Sequence, residues 1–286
     1  MEKEIINYWL KTVKDWSDNY GKDYIEWKGT PGMGDAMYGI NIAFMRAFIN
    51  QKPTTINIHW YHSEDYLYHY EDPETIVERV NFIHSRYMWP EMVNIEHTFN
   101  STDTALYSQR YRNVIRCRDN KLARYWIFDP KYFLKTIPNK IVVWRASFNA
   151  DPPRWFKMPV NDNEWTEIIE KLRFLNFQVV EIDYRTPIRE AFYHISSAKF
   201  CLSYEGMWHY IAKNFFVPHM VLGDDDITKW HTPASIMKNP KDHHFTSSIH
   251  KILSFISHAE SKQLKYFKAY NKLVFNDENR PRGYRD

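Results

Sequence analysis

The sequence predicts an α/β protein of two domains, each built around a parallel sheet. The chain has 286 residues, which is more than a single hydrophobic core usually organises. Apolar residues make up 44% of it and aromatic residues 17%, enough to fill two cores. Short apolar strands alternate with amphipathic helices within the first 60 residues and again from residue 139. This alternation is typical of chains that form βαβ units.

The first predicted domain comprises residues 1–136. It begins with an amphipathic helix over residues 3–16, where apolar side chains recur at helical spacing. A strand, a helix and a second strand then form a βαβ unit, over residues 23–29, 36–50 and 54–62. Residues 64–135 have no clear period, and we predict helices and loops there.

The second predicted domain comprises residues 137–286 and repeats the alternation. Strands are predicted over residues 139–147, 177–183, 199–206 and 218–224. Helices are predicted over residues 162–176, 186–198, 207–216 and 246–275. Because strands joined through helices run parallel, both domains are expected to be Rossmann-like and to bind ligands at the carboxyl ends of their strands.

Half of the eight glycines lie in one eleven-residue stretch that runs from the end of the first strand into the first helix. In its "GTPGMGD", Met37 replaces the last glycine of a dinucleotide-binding pattern, and Asp35 occupies the lysine position of a Walker A loop. We predict instead that Gly32, Met33 and Gly34 let an acceptor approach the backbone. Asp35, in the first turn of the helix, would be an ionised general base. Alternatively, Asp35 only caps the helix and the glycines only form the turn.

Three segments resemble the heptosyltransferase-like glycosyltransferases, which have the GT-B fold. In the second half these are "VVWRASFNADPPRWFKMP" and the turn "SYEGMWH", with an apolar strand ending at Gly223 after it. In the first half, "GMGDAMYGI" resembles the Gly-Asp turn of the family. The resemblance implies two Rossmann-like domains facing a cleft, a nucleotide-sugar donor bound by the second domain, and Asp35 as the acceptor base.

A metal-free donor site requires cations and a helix N-terminus around the leaving diphosphate. Arginine suits bidentate phosphate contacts, and a carboxylate can accept a hydrogen bond from a sugar hydroxyl. The predicted donor-binding residues are Arg145, Ser147, Arg154, Lys157, Glu205, Gly206 and His209. The predicted acceptor-side residues are Gly32, Met33, Gly34, His59 and His62. Each of these histidines could instead be an ordinary packed or surface residue.

Positive charge is concentrated in one segment, although the formal net charge of the chain is only +3. Residues 110–126 hold six basic residues and one acidic residue. A predicted polyanion-binding surface is formed by Arg110, Arg112, Arg116, Arg118, Lys121 and Arg124. A solvated helix face is an equal alternative.

The acceptor is not fixed by any motif. The basic segment would suit double-stranded DNA that carries a hydroxymethylated base, an acceptor that some phage-encoded glycosyltransferases modify. A lipopolysaccharide or another glycan is the alternative acceptor. A non-catalytic nucleic-acid-binding protein on a degenerate GT-B scaffold is the alternative from another class. A nucleotide-dependent oxidoreductase is disfavoured, because His59-Trp60 ends the second strand where an acidic residue would bind the ribose.

No metal or other cofactor is predicted, with a nucleotide-sugar acting as co-substrate. The acidic residues Asp224–Asp226 are better explained as a solvated turn than as a cation site. Cys117 and Cys201 form no CxxC pair, so a reduced, cytoplasmic setting is expected. The N-terminal residues lack the apolar region of a secretory signal, and no apolar run approaches the roughly 20 residues of a membrane span.

Overall fold

The structure is a computed structural model. It describes residues 23–28, 33–50, 52–61, 73–100, 128, 132–145, 162–183, 186–204, 207–222 and 235–238. The chain divides into two compact units, the first comprising Met1–Lys131 with Leu273–Asp286 and the second comprising Tyr132–Lys272. The limits predicted from the sequence, 1–136 and 137–286, stay predictions.

The first unit contains a three-stranded parallel sheet with the strand order β1-β2-β3. Its elements in chain order are β1 (Asp23–Lys28), α1 (Met33–Asn50), β2 (Thr54–Tyr61), α2 (Pro73–Tyr87) and β3 (Val93–Asn100). The predicted βαβ unit is therefore confirmed. Strand β3 lies in the region for which only helices and loops were predicted, so that prediction was wrong at this strand.

One face of this sheet is apolar and packs against both helices. The strand register places Ile25 beside Ile56 and Trp27 beside Ile58, and all four side chains are buried. Helix α1 approaches this face so closely at Gly39 that an added Cβ would lie 2.6 Å from Trp27 Nε1. At least one glycine of the glycine-rich stretch is therefore needed for helix–sheet packing.

The opposite face of the first sheet is polar, and the described residues place no helix on it. Alternation along the strands places Tyr24, Glu26, Asn57, Glu96 and Thr98 on this face. Parallel sheets are usually covered on both faces, and their strands then consist mainly of apolar residues. The polar face departs from that pattern, and its side chains form part of the candidate site described below.

The second unit contains a five-stranded parallel sheet with the strand order β5-β4-β6-β7-β8. Its strands are β4 (Lys140–Trp144), β5 (Gln178–Ile182), β6 (Phe200–Tyr204), β7 (His219–Leu222) and β8 (Ser235–Lys238). Its helices are α3 (Asp162–Phe174), α4 (Ile188–Ser196) and α5 (Met207–Asn214). The predicted alternation is confirmed from β4 to β7, and β8 is an additional strand that was not predicted.

Helices cover both faces of the second sheet. Lys140 and Trp144 share one face, where they contact Ser197 at the end of α4 and Trp208 of α5. Arg145 and Glu181 lie on the opposite side, where they contact Thr166 and Arg173 of α3. This doubly wound arrangement confirms the predicted Rossmann-like α/β class for this unit.

Several cationic side chains are buried at the amino edge of the second sheet. Lys140 begins β4 and donates a hydrogen bond to Ser197 Oγ at 2.7 Å. Its ammonium also lies 4.9 Å from the centre of the Tyr193 ring. Both contacts are at the C-terminal end of α4, where the helix dipole favours a positive charge. Lys213, near the end of α5, is completely buried, and burial lowers its pKa to about 7.

The remaining predicted elements lie outside the described residues. These are the helices predicted over residues 3–16 and 246–275.

Candidate functional site

The second sheet has a topological switch point between β4 and β6. The chain enters the sheet at β4, adds β5 on one side and then crosses to add β6 on the other. Crossovers on opposite faces leave a crevice outside the carboxyl ends of the two central strands, and open α/β sheets bind ligands there. Strand β4 ends at Trp144, and β6 ends at Tyr204. The segments after these two residues are therefore the candidate ligand-binding segments of this unit.

Arg145 is the first residue after β4 and the only predicted donor-binding residue with a described side chain. Its Nε lies 3.5 Å from Glu181 Oε2, and its Nη1 donates a hydrogen bond to Thr166 Oγ1 at 3.3 Å. Glu181 also contacts Arg173, whose Nη2 lies 3.0 Å from Oε1. The side chain of Arg145 is about one-third exposed. Glu181 and Thr166 thus help to orient the guanidinium, while part of the side chain still faces solvent.

The end of β6 carries a buried hydroxyl that sequence analysis did not select. Ser203 is the second-last residue of β6, and its side chain is buried. Among the described residues its Oγ has no hydrogen-bond partner. An unpartnered buried hydroxyl costs free energy, so its presence at a strand end beside the switch point indicates a polar site. Its signal in the sequence is a serine within an otherwise apolar strand.

Two residues separate helix α5 from β6, and the helix packs against the end of β4. The rings of Trp144 and Trp208 meet edge to face, with centroids 6.4 Å apart, and both side chains are buried. This contact fixes the first turn of α5 beside the carboxyl end of β4. The N-terminus of an α-helix attracts anions through its unpaired N–H groups and its dipole.

The other predicted donor-binding residues have no described side chain. Glu205 and Gly206, which connect β6 to α5, lie outside the described residues, as do Ser147, Arg154 and Lys157. His209 is the third residue of α5. The structure therefore brings Arg145 and the start of α5 to adjacent strand ends, and the predicted roles of the other residues stay predictions.

In the first unit, Asp35 is the third residue of α1, and Met33 and Gly34 are the first two. Asp35 therefore occupies the first helical turn, but its side chain is not among those described. Gly32 lies outside the described residues. A carboxylate in a first turn is favoured by the helix dipole. The role of Asp35 as a general base stays a prediction.

His59, which was predicted on the acceptor side, is paired with a carboxylate that sequence analysis did not select. His59 Nε2 contacts Glu26 Oε2 of the neighbouring strand. The His59 side chain is buried, and that of Glu26 is about one-quarter exposed. A carboxylate that holds one imidazole nitrogen fixes both the ring orientation and the tautomer. No signal of this pair exists in the sequence, because its members are 33 residues apart.

A second polar contact lies beside this pair on the same sheet face. Thr98 Oγ1 donates a hydrogen bond to Asn57 Oδ1 at 3.0 Å. Partial burial, the foremost cause, raises the pKa of the Tyr24 phenol, and the Glu26 and Glu96 carboxylates raise it further. The face therefore offers carboxylate, imidazole, amide and hydroxyl groups, which suits recognition of a polar ligand rather than an apolar one. His62 lies outside the described residues.

The predicted polyanion-binding surface, Arg110 to Arg124, lies outside the described residues. Within the described ranges, no group of three or more potential metal-ligating His, Cys, Asp or Glu side chains occurs. None of the helices that the structure describes combines the length and apolar character needed to cross a membrane. The predictions on cofactors and on a cytoplasmic setting stay predictions.

No family model matches the chain, and a search of curated proteins finds no match. Among solved structures, it is similar to the bacterial iron-containing dodecameric glycosyltransferase TibC from enterotoxigenic E. coli. The TM-score is 0.46 and the identity 11%, over 88% of this chain and 80% of that chain. TibC in complex with ADP-D-β-D-heptose, described as a heptosyltransferase, has a TM-score of 0.45 and 11% identity, over 87% of this chain and 76% of that chain. E. coli heptosyltransferase WaaC with ADP has a TM-score of 0.46 and 11% identity, over 82% of this chain and 99% of that chain. All three TM-scores are below 0.5.

Proposed function

We propose that the protein is a glycosyltransferase that moves a sugar from a nucleotide-sugar donor to an acceptor hydroxyl. One observation carries this proposal. At the switch point of the second sheet, Arg145 directly follows β4, and only two residues separate the adjacent strand β6 from the N-terminus of α5. A cation and a helix N-terminus at neighbouring strand ends are the groups that a diphosphate requires.

The donor half of the reaction uses these groups to stabilise the leaving nucleoside diphosphate. As the bond between the sugar and the diphosphate breaks, negative charge accumulates on the phosphate oxygens. The guanidinium of Arg145 and the N–H groups at the start of α5 would receive this charge. Glu181 and Thr166 hold the guanidinium before the donor binds, which reduces the ordering cost of binding.

The acceptor half of the reaction requires a base. In the proposed step, the acceptor oxygen bonds to the sugar carbon while its proton passes to the Asp35 carboxylate. The diphosphate departs with the electron pair of the broken bond. The Glu26–His59 pair is proposed to orient polar groups of the acceptor, since the buried histidine holds the partly exposed Glu26 carboxylate, which can accept hydrogen bonds, in one place.

For the acceptor, the sequence supplies one feature, the six basic residues from Arg110 to Arg124. They favour a polyanion, of which DNA with a hydroxymethylated base is one example. Because the described residues do not include this segment, the DNA acceptor is supported by composition alone. A lipopolysaccharide or another glycan is proposed as the alternative, and transfer assays with both acceptors would distinguish them.

The proposal is tested by nucleotide binding to the full chain. Isothermal titration calorimetry with ADP, UDP, GDP and CMP should show that one nucleotide binds. Arg145→Ala should weaken that binding at least about tenfold, because a charge-assisted contact to phosphate is lost. Arg173→Ala is the matched control. It removes the other arginine that contacts Glu181, but this residue does not follow a strand at the switch point.

The outcomes are distinct. Weaker binding in Arg145→Ala but not in Arg173→Ala supports a donor site at the switch point. Equal weakening in both variants would show an effect transmitted through Glu181, and Arg145 would lose its role as a phosphate ligand. If none of the four nucleotides binds, the glycosyltransferase proposal fails. DNA binding that depends on the residues from Arg110 to Arg124 would then favour the non-catalytic alternative.

A further inference from the structure

The exposed large apolar side chains of the second unit are concentrated at one edge of its sheet. Among the described residues of this unit they are Phe174, Tyr193 and Leu134, which are 79%, 55% and 42% exposed. Phe174 ends α3, Tyr193 lies in the last turn of α4, and Leu134 lies shortly before β4. In a parallel sheet the strands begin where the connecting helices end. All three side chains therefore lie at the amino edge.

Residues 132–139 join these positions into one surface. The Ile137 N–H donates a hydrogen bond to the Ser197 carbonyl oxygen at 2.9 Å, just after α4. The Asn139 carbonyl oxygen accepts a hydrogen bond from the Gln178 N–H at 2.7 Å, just after the turn that follows α3. We name the result the amino-edge surface, and it comprises residues 132–139, 173–178 and 193–199.

The charges of the amino-edge surface have one sign. Its three segments contain no acidic residue and three lysine or arginine residues, which are Lys135, Arg173 and Lys199. Arg173 contacts Glu181 of β5, yet its side chain is 53% exposed. The acidic residues Glu170 and Glu190 lie about one helical turn before the surface, in α3 and α4. Because like charges repel, two copies of this surface would not pair well, and an anionic partner is favoured.

The partner must also cover large apolar side chains. A nucleic acid or an acidic peptide offers mainly charge, whereas an anionic lipid bilayer offers phosphate groups above an acyl interior. Aromatic and aliphatic side chains beside lysine and arginine are typical of protein surfaces that lie in the membrane interface. We propose that the amino-edge surface docks on a membrane that contains anionic lipids. Phe174 and Leu134 enter the acyl boundary, and Lys135 lies among the lipid phosphates.

Docking through this surface leaves the candidate ligand-binding segments free. The amino edge and the carboxyl ends of parallel strands are at opposite edges of a sheet. Nucleotide binding after β4 and β6 should therefore not depend on the amino-edge surface. The membrane proposal likewise does not depend on the glycosyltransferase assignment.

The test is co-sedimentation of the full chain with lipid vesicles. The chain should bind phosphatidylcholine vesicles that contain about 30% phosphatidylglycerol more tightly than vesicles of phosphatidylcholine alone, and added salt should weaken this binding. Phe174→Ser should weaken it at least about fivefold, because the ring no longer leaves water. Lys135→Glu should weaken it at least about fivefold as well, because an attraction to the lipid phosphates becomes a repulsion.

Matched controls separate this surface from the rest of the chain. Phe99→Ser replaces an exposed aromatic residue of the first unit, and Arg86→Glu reverses an exposed charge at the end of α2. Both controls should bind anionic vesicles within about twofold of the unchanged chain. Because Phe174 and Lys135 are exposed, their substitution removes no core packing, and unchanged thermal melts should confirm this.

Each contrary result overturns the proposal. It fails if the chain does not bind anionic vesicles, or if it binds neutral vesicles equally well. It fails also if Phe174→Ser and Lys135→Glu bind anionic vesicles as the unchanged chain does, because another surface would then be responsible. Binding of soluble heparin that depends on Lys135, without vesicle binding, would assign the surface to a soluble polyanion instead.

Discussion

The buried ammonium of Lys213 should make the stability of the second unit depend on pH. Burial lowers its pKa from 10.5 to about 7 in the folded chain. Between these values the unfolded chain binds more protons than the folded chain, so stability rises with pH and is lowest near pH 7. A gap of about 3.5 pH units, at about 1.4 kcal/mol per unit, corresponds to about 5 kcal/mol.

The perturbation is Lys213→Met, which keeps the length of the side chain and removes the charge. Urea unfolding followed by circular dichroism at pH 7.5, 8.5 and 9.5 measures the free energy of unfolding. The unchanged chain should gain roughly 1 kcal/mol per pH unit that the variant does not gain, and the variant should be the more stable chain at pH 7.5. Lys135→Met, at an exposed position, is the control and should retain the pH dependence.

The difference between the two unfolding curves isolates Lys213 from other groups that titrate in this range, such as Lys140, whose pKa burial also lowers. If the free energy of unfolding changed with pH by the same amount in the unchanged chain and in Lys213→Met, the reasoning would be refuted, because Lys213 would then keep its ordinary pKa in the folded chain.

Three other predictions concern packing, acid stability and catalysis. Gly39→Ala should destabilise the first unit by about 1–3 kcal/mol in thermal melts, since its Cβ would clash with the Trp27 ring. Adding Trp27→Phe should cost less than the sum of the two single changes, and strict additivity would contradict the clash. Burial, the larger cause, and Lys213 lower the pKa of His219 to about 4. The free energy of unfolding should therefore fall by about 3 kcal/mol as pH drops from 6.5 to 4. His219→Gln should lose this pH dependence. An equal pH dependence in both chains would be inconsistent with a neutral His219. Asp35→Asn should reduce sugar transfer by roughly 10²–10⁴-fold and leave nucleotide binding unchanged, whereas retained transfer would rule out Asp35 as the base.

The missed strand β3 shows why periodicity was insufficient in the aromatic-rich middle of the chain. In "VNIEHTFN", Val93 and Ile95 alternate with polar residues, which is the pattern of a half-buried strand. The alternation continues through His97 and places it on the helix-covered face. There, Trp60 and Asn81 satisfy both of its ring nitrogens. A histidine counts as polar in the sequence, so the apolar alternation ends at Ile95 for a reader who does not know the partners of His97.

The candidate site likewise divides into residues that the sequence indicated and residues that only the structure identified. The sequence indicated Arg145 and the start of α5, because a strand end followed by a polar residue and a strand end followed by a glycine are local patterns. Their position at one switch point required the strand order, in which β4 lies between β5 and β6. Glu26 gave no local signal, since its importance comes from a contact across strands. Ser203 interrupts an apolar strand in the sequence, but only the structure shows that its hydroxyl is buried with no partner among the described residues.

The sequence by itself determined the α/β class, the alternation of strands and helices and the place of the glycine-rich turn. These follow from side-chain periodicity and backbone conformation, which act over a few residues. Only the tertiary structure decided the strand order, the Glu26–His59 pair and the burial of Lys140 and Lys213. Such features depend on which distant segments exclude water from one another. A lysine in the sequence is the same whether it faces solvent or lies beneath a helix, and its environment then sets its charge.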